Sequence, residues 1–86
     1  MQVIWKPKAL KQIKKFNNKM LAQRLFDAAL SLQTFSDVSN LKVLVYHEYT
    51  HRLRVGDYRL LITIDDDGDL LIGHIEEVKK RDERTY

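Results

Sequence analysis

Apolar residues recur every three to four positions in the first third of this chain and every second position in its last half, so helices are expected first and strands after them. Gln2 to Trp5 is a short β-rich run cut off by Lys6-Pro7. Pro7 suits the first turn of a helix, where its missing N–H would have had no partner. Leu10, Ile13 and Phe16 then fall at near-helical spacing until Asn17-Asn18 interrupts the pattern. Beyond it Leu21, Leu25, Ala28 or Ala29, and Leu32 make a second stripe that runs to about Thr34. Two antiparallel helices joined by a tight turn are the economical reading. Polar turn formers from Ser36 to Asn40 close the helical part. Leu41 to Tyr46 reads as a short strand or an extended lead-in, followed by strands over His47 to Val55, Tyr58 to Asp65 and Leu70 to Val78. The expected fold is α+β: an N-terminal strand, a helical hairpin and a three-stranded antiparallel meander (β-α-α-β-β-β), in a single domain over residues 1–86.

The turns set the register. Gly56-Asp57 between two β-rich runs predicts a two-residue hairpin loop, which places Val55 opposite Tyr58, Arg54 opposite Arg59, Leu53 opposite Leu60 and Arg52 opposite Leu61. Alternation then sends Leu53, Val55, Tyr58, Leu60, Ile62 and Ile64 to one face, and Thr50, Arg52, Arg54 and Arg59 to the other. A three-residue loop would slip the pairing and put an arginine among the apolar residues, at a cost no turn can offset. Asp67-Gly68 is the loop expected for the second hairpin, pairing Ile64 with Leu71, Ile62 with Gly73 and Leu60 with Ile75. In that register Ile72, His74 and Glu76 join the arginine face, with Glu76 opposite Arg59 and His74 opposite Leu61. Two helices cover one face of so small a sheet, which leaves the arginine face open to a ligand.

Charge sharpens this picture. The formal net charge of the 86 residues is only +3, yet residues 1–26 hold Lys6, Lys8, Lys11, Lys14, Lys15, Lys19 and Arg24 with no acid among them. Such asymmetry favours a polyanionic or acidic partner. The absence of cysteine excludes disulfides and thiolate chemistry. No apolar run is long enough to span a membrane and Met1 to Ala9 lacks the apolar core of a signal peptide, so cytoplasm is the expected location, with no membrane partner. Asp65-Asp66-Asp67-Gly68-Asp69 looks like part of a calcium loop but lacks its closing glutamate, so no metal and no cofactor is expected.

Like charges facing one another, as Arg54 and Arg59 would, destabilise a bare sheet, which points to an anion held between them. Guanidiniums grip a phosphodiester through paired charge-assisted hydrogen bonds and stabilise a phosphorane, but serve poorly as a base. His47, His51 and His74 are the side chains suited to proton transfer near neutrality. By alternation His74 shares the arginine face, whereas His51 points the other way. Tyr86 ends the chain five residues after Arg81, near enough for both to serve one site if the tail folds back. Trp5 and Tyr58 are expected to pack rather than to stack on bases.

The run Tyr49-Thr50-His51-Arg52-Leu53-Arg54-Val55-Gly56-Asp57-Tyr58-Arg59-Leu60-Leu61, the ending Lys80-Arg81-Asp82-Glu83-Arg84-Thr85-Tyr86 and the opening Ile4-Trp5-Lys6-Pro7-Lys8-Ala9-Leu10 resemble the RelE/ParE superfamily of toxins from bacterial toxin–antitoxin modules. The resemblance covers nearly the whole chain and implies a RelE-like fold. RelE-like members cut mRNA in the ribosomal A site by attack of a ribose 2′-hydroxyl on the adjacent phosphate without metal; ParE-like members act on DNA gyrase and lack the catalytic set. Carried over residue by residue, the RelE-like set falls on Arg52, Arg59, Arg81 and Tyr86. Arg54, His51, Lys79, Lys80 and Arg84 are then added RNA contacts. Arg59 and Arg81 would take phosphate and transition-state charge, and Tyr86 would protonate the leaving group or stack on a base. Where the best-known RelE site has two alternating lysines this chain has Thr50 and Arg52, so the base stays open between His74, His51 and a basic side chain. The branch implied is the mRNA endonuclease, with ribosome and mRNA as partners; the alternative is a gyrase inhibitor. Either implies a cognate antitoxin, for which Lys8, Lys11, Lys15 and the sheet edge are the expected docking places.

Overall fold

The computed structural model describes residues 1–33, 41–68 and 70–80. Strand β1 (Gln2–Trp5) leads into helices α1 (Pro7–Phe16) and α2 (Lys19–Ser31), and strands β2 (Leu41–Val43), β3 (His51–Val55), β4 (Tyr58–Asp67) and β5 (Leu70–Lys80) follow. The sheet has the order β1-β5-β4-β3-β2. β1 lies parallel to β5, and the other neighbours are antiparallel. The expected three-stranded meander is therefore corrected to four strands, with β1 added as a fifth. Three residues of β2 are too few to show a period, and a parallel pairing across most of the chain has no local signature.

The asparagine pair divides its labour. Asn17 closes α1 in the left-handed conformation at φ 51°, with its N–H donating to Lys14 O. Asn18 opens α2, its side chain accepting from Leu21 N–H at 3.1 Å. Pro7 occupies the first turn of α1 as expected. The helix buries Ala9 and Ile13, while Leu10, expected in the apolar stripe, is left exposed. Leu21, Leu25, Ala29 and Leu32 complete the helical side of the core, packed with Leu53, Leu60, Ile62, Ile75 and Val78 of the sheet. Trp5 packs edge-on against Phe26 and Tyr58 against Phe16, both as packing residues.

The first hairpin has the expected register throughout: Val55 opposite Tyr58, Arg54 opposite Arg59, Leu53 opposite Leu60 and Arg52 opposite Leu61. Gly56 takes φ 59°, a backbone that favours glycine, while a Cβ there would stand 2.8 Å from Arg24 Nη2 of α2, the tip of a side chain that can swing aside. The second hairpin differs. Asp67 pairs with Leu70 and the turn is made at Gly68, φ 67°, so glycine again takes the first loop position, as in a II′ turn. Ile64 accordingly faces Gly73 and Ile62 faces Ile75. A bulge then steps the register, because Leu61 faces Glu77, leaving Glu76 as the extra residue.

The shifted turn alone puts His74 opposite Thr63, not Leu61; turn and bulge together put Leu60 opposite Val78, not Ile75, and Arg59 opposite Lys79, not Glu76. The bulge also turns Val78 into the core and Glu77 to the arginine face. Where β1 stops, the exposed edge of β5 is met by α1: Gln12 Oε1 accepts from Val78 N–H at 2.6 Å. A side chain thus replaces the missing strand.

Candidate nucleic-acid interface

On the face of the sheet away from the helices, pairing lines up Lys42, Arg52, Leu61 and Glu77 in one row and Arg54, Arg59 and Lys79 in the next. Lys42, Arg52 and Arg59 line a groove of about 540 Å³, shared with Val43, Leu44, Val45 and His47 of the segment that follows β2. Leu61, 5% exposed and outside the main core cluster, lines the same groove and serves as its floor. One side is therefore basic and the other largely apolar.

The segment from Leu44 to Thr50 is held across this face. Its ends meet through Leu44 N–H donating to Thr50 O at 2.8 Å, and Thr50 N–H donates to Ile62 O at 3.1 Å. Thr50 Oγ1 also accepts from Ile64 N–H at 2.8 Å, which prolongs the β3–β4 ladder past the last regular residue. Tyr49 starts on the β3 side and its hydroxyl donates to Glu77 Oε2 of β5 at 2.6 Å, so the ring crosses β4. The arginine face is thus partly roofed, a departure from the bare sheet expected.

Glu77 is the anchor. Lys8 Nζ lies 3.2 Å from its Oε1, and Gln12 Nε2 approaches the same oxygen at 3.5 Å. The Tyr49 hydroxyl, more than Lys8 or Gln12, holds the Glu77 carboxyl below its ordinary range against a burial that pushes it up. Conversely the carboxylate bond, helped by burial, raises the Tyr49 phenol well above its ordinary value and keeps it protonated. Glu77 therefore works as an ionised tether rather than as a base looking for a proton.

The expected site residues separate into groups. Arg52 and Arg59 line the groove; Arg54 and Lys79 share the face in the neighbouring row. Lys80 stands opposite Tyr58, whose alternation places it on the helix side. His51 pairs with Ile62 of the core face, as alternation required, and its Nδ1 lies 2.8 Å from Thr50 Oγ1. Burial lowers its basicity. His74 shares the arginine face by alternation, but beyond the bulge, where its Nε2 meets Asp65 Oδ2 at 3.1 Å. Arg81, Arg84 and Tyr86 lie outside the described residues. Sequence reading missed Lys42, His47, Tyr49 and Glu77 as parts of this face. Lys42, between Leu41 and Val43, carried a faint alternation signal, while Glu77 depends on a bulge with no local mark. Among the described residues no helix is long and apolar enough to cross a membrane.

The fold is similar to that of the structure titled YoeB/ParE toxin from Agrobacterium tumefaciens, with a TM-score of 0.70 over 94% of this chain and 99% of that one, at 9% identity. A sequence comparison with curated proteins gave no match. The family model described as ParE toxin of type II toxin-antitoxin system, parDE, matches residues 3–81, and the chain belongs to that family within the RelE/ParE superfamily. Toxins of such systems pair with a cognate antitoxin.

Proposed function

We propose that this chain is the RelE-like kind of toxin, an endonuclease that cuts mRNA on the ribosome by attack of a ribose 2′-hydroxyl on the adjacent phosphate. The observation that carries the reading is the convergence of Lys42, Arg52 and Arg59 on one groove, on the side of the sheet the helices leave uncovered. Three cations around an apolar floor suit a ribose-phosphate link: the guanidiniums take the non-bridging oxygens and meet the charge that grows there in the transition state. Arg81 is assigned to the same phosphate and Tyr86 to the leaving group or a base, both on the strength of the tail's resemblance to the RelE pattern. Arg54 and Lys79 extend the cationic surface along the RNA backbone, with Lys80 and Arg84 following it in the chain. For the base, His74 is favoured over His51 because it shares the arginine face. Cytoplasm is the place of action this reading requires.

The alternative, inhibition of DNA gyrase, uses the same fold without a cleavage site. Brief induction without antitoxin, followed by sequencing of RNA ends, separates the two. Codon-phased ends confined to translated mRNA, lost in Arg59→Ala, are expected. Intact mRNA accompanied by a DNA-damage response would transfer the protein to the gyrase-acting branch.

A further inference from the structure

We infer that His47 and the apolar wall Val43-Leu44-Val45 form a nucleobase subsite beside the phosphate-binding cations Lys42, Arg52 and Arg59. The inference rests on reading this groove as the RNA site, and names the part of the nucleotide that its non-basic side takes. Its volume, about 540 Å³, lies within the roughly 300–1,000 Å³ usual for small-molecule sites. The division of its lining matches a nucleotide's own, with charge at the phosphate and a flat apolar ring at the base.

His47 is held in place for this task. Tyr49 N–H donates to its Nδ1 at 3.1 Å, and the two rings lie 5.7 Å apart at 41°. In the neutral imidazole this puts the hydrogen on Nε2, a donor for an acceptor on a base edge. Tyr49 is in turn fixed through Glu77 Oε2, so the chain Glu77–Tyr49–His47 carries rigidity from β5 into the segment. Tyr46, between two groove-lining residues, adopts φ 54°, a conformation that side chains other than glycine seldom take. A stacking surface prepared in this way loses little entropy when a base arrives.

Titration of the ¹⁵N-labelled protein with adenosine 5′-monophosphate and with ribose 5-phosphate, followed by amide and imidazole resonances, tests the assignment without requiring cleavage. The nucleotide is expected to bind about tenfold more tightly, equivalent to about 1.4 kcal/mol, and to shift His47 as well as Arg52. Ribose 5-phosphate should shift the Arg52 side alone. His47→Ala should remove the tenfold preference and leave ribose 5-phosphate binding as it was, whereas Lys42→Ala should weaken both ligands equally. Equal affinities for the two ligands, a preference that survives His47→Ala, or no binding of either overturns the subsite. Cleavage on ribosomes with no base preference would overturn the subsite and leave the nuclease reading standing. A base preference without cleavage would do the reverse.

Discussion

Strand β4 meets two different surroundings along its length. Leu60 and Ile62, both fully buried, face the helices, while Arg59 and Leu61 between and beside them face the groove. The helix side is made of contacts any apolar residue of the right size could supply, so its identity follows from periodicity. The groove side is made of single placements: a lysine from an edge strand, a glutamate turned by a bulge, a tyrosine laid across the sheet. One side holds the fold and the other gathers the cations Lys42, Arg52 and Arg59, and the two should fail in different ways.

The largest effect belongs to the helix side. Ile62→Ala should cost about 3 kcal/mol from lost burial and the cavity left behind, read as a lower denaturation midpoint. Growth arrest per folded molecule should be retained. Next comes the tether on the groove side. Glu77→Ala removes the acceptor of Tyr49 and the partner of Lys8, and should cost about 2 kcal/mol. Unlike Ile62→Ala it should also perturb the His47 and Tyr49 resonances more than those of Leu25. Equal perturbation of both sets would show that the two faces are not separable.

A smaller loss, about 1 kcal/mol, is expected for Gly56→Ala from the left-handed backbone. Arg24→Ala in the same chain should relieve the crowding with the new Cβ and leave the backbone share. The smallest effect is that of pH. His51 is a weaker base folded than unfolded, so the unfolded chain binds its proton first, and stability should start to fall as pH drops through 6.5. Glu77 has a depressed folded value, so its contribution is whole above 4.5 and is lost as pH falls towards the folded value. Denaturation midpoints from pH 8 to 4 should therefore decline in two stages, the first absent in His51→Asn. A flat profile between pH 7 and 5.5 in the wild type would contradict the burial of that imidazole.

The same division governs what could be read from the sequence. β1, α1 and the register of the first hairpin were legible, because proline, the Asn17-Asn18 pair and Gly56-Asp57 act locally, whereas the strand expected from His47 begins only at His51 and its partner runs on to Asp67. The second hairpin was misplaced because Asp67-Gly68-Asp69 offers two overlapping turns, and only the whole sheet chooses Gly68 as the first loop residue. The Arg52–Arg59 pair was visible from one register. Lys42 was not, since β2 joins the sheet through a segment whose length hides its register, and Glu77 was not, since the bulge reverses which side it faces.

The most direct test of a functional face separate from the folding face is cleavage by purified protein of an mRNA on ribosomes programmed with a known A-site codon. Wild type should cut within that codon, while Lys42→Ala/Arg52→Ala/Arg59→Ala should melt within a few degrees of it and leave the mRNA whole. Full cleavage by the folded triple variant, or none by the wild type, would contradict the account.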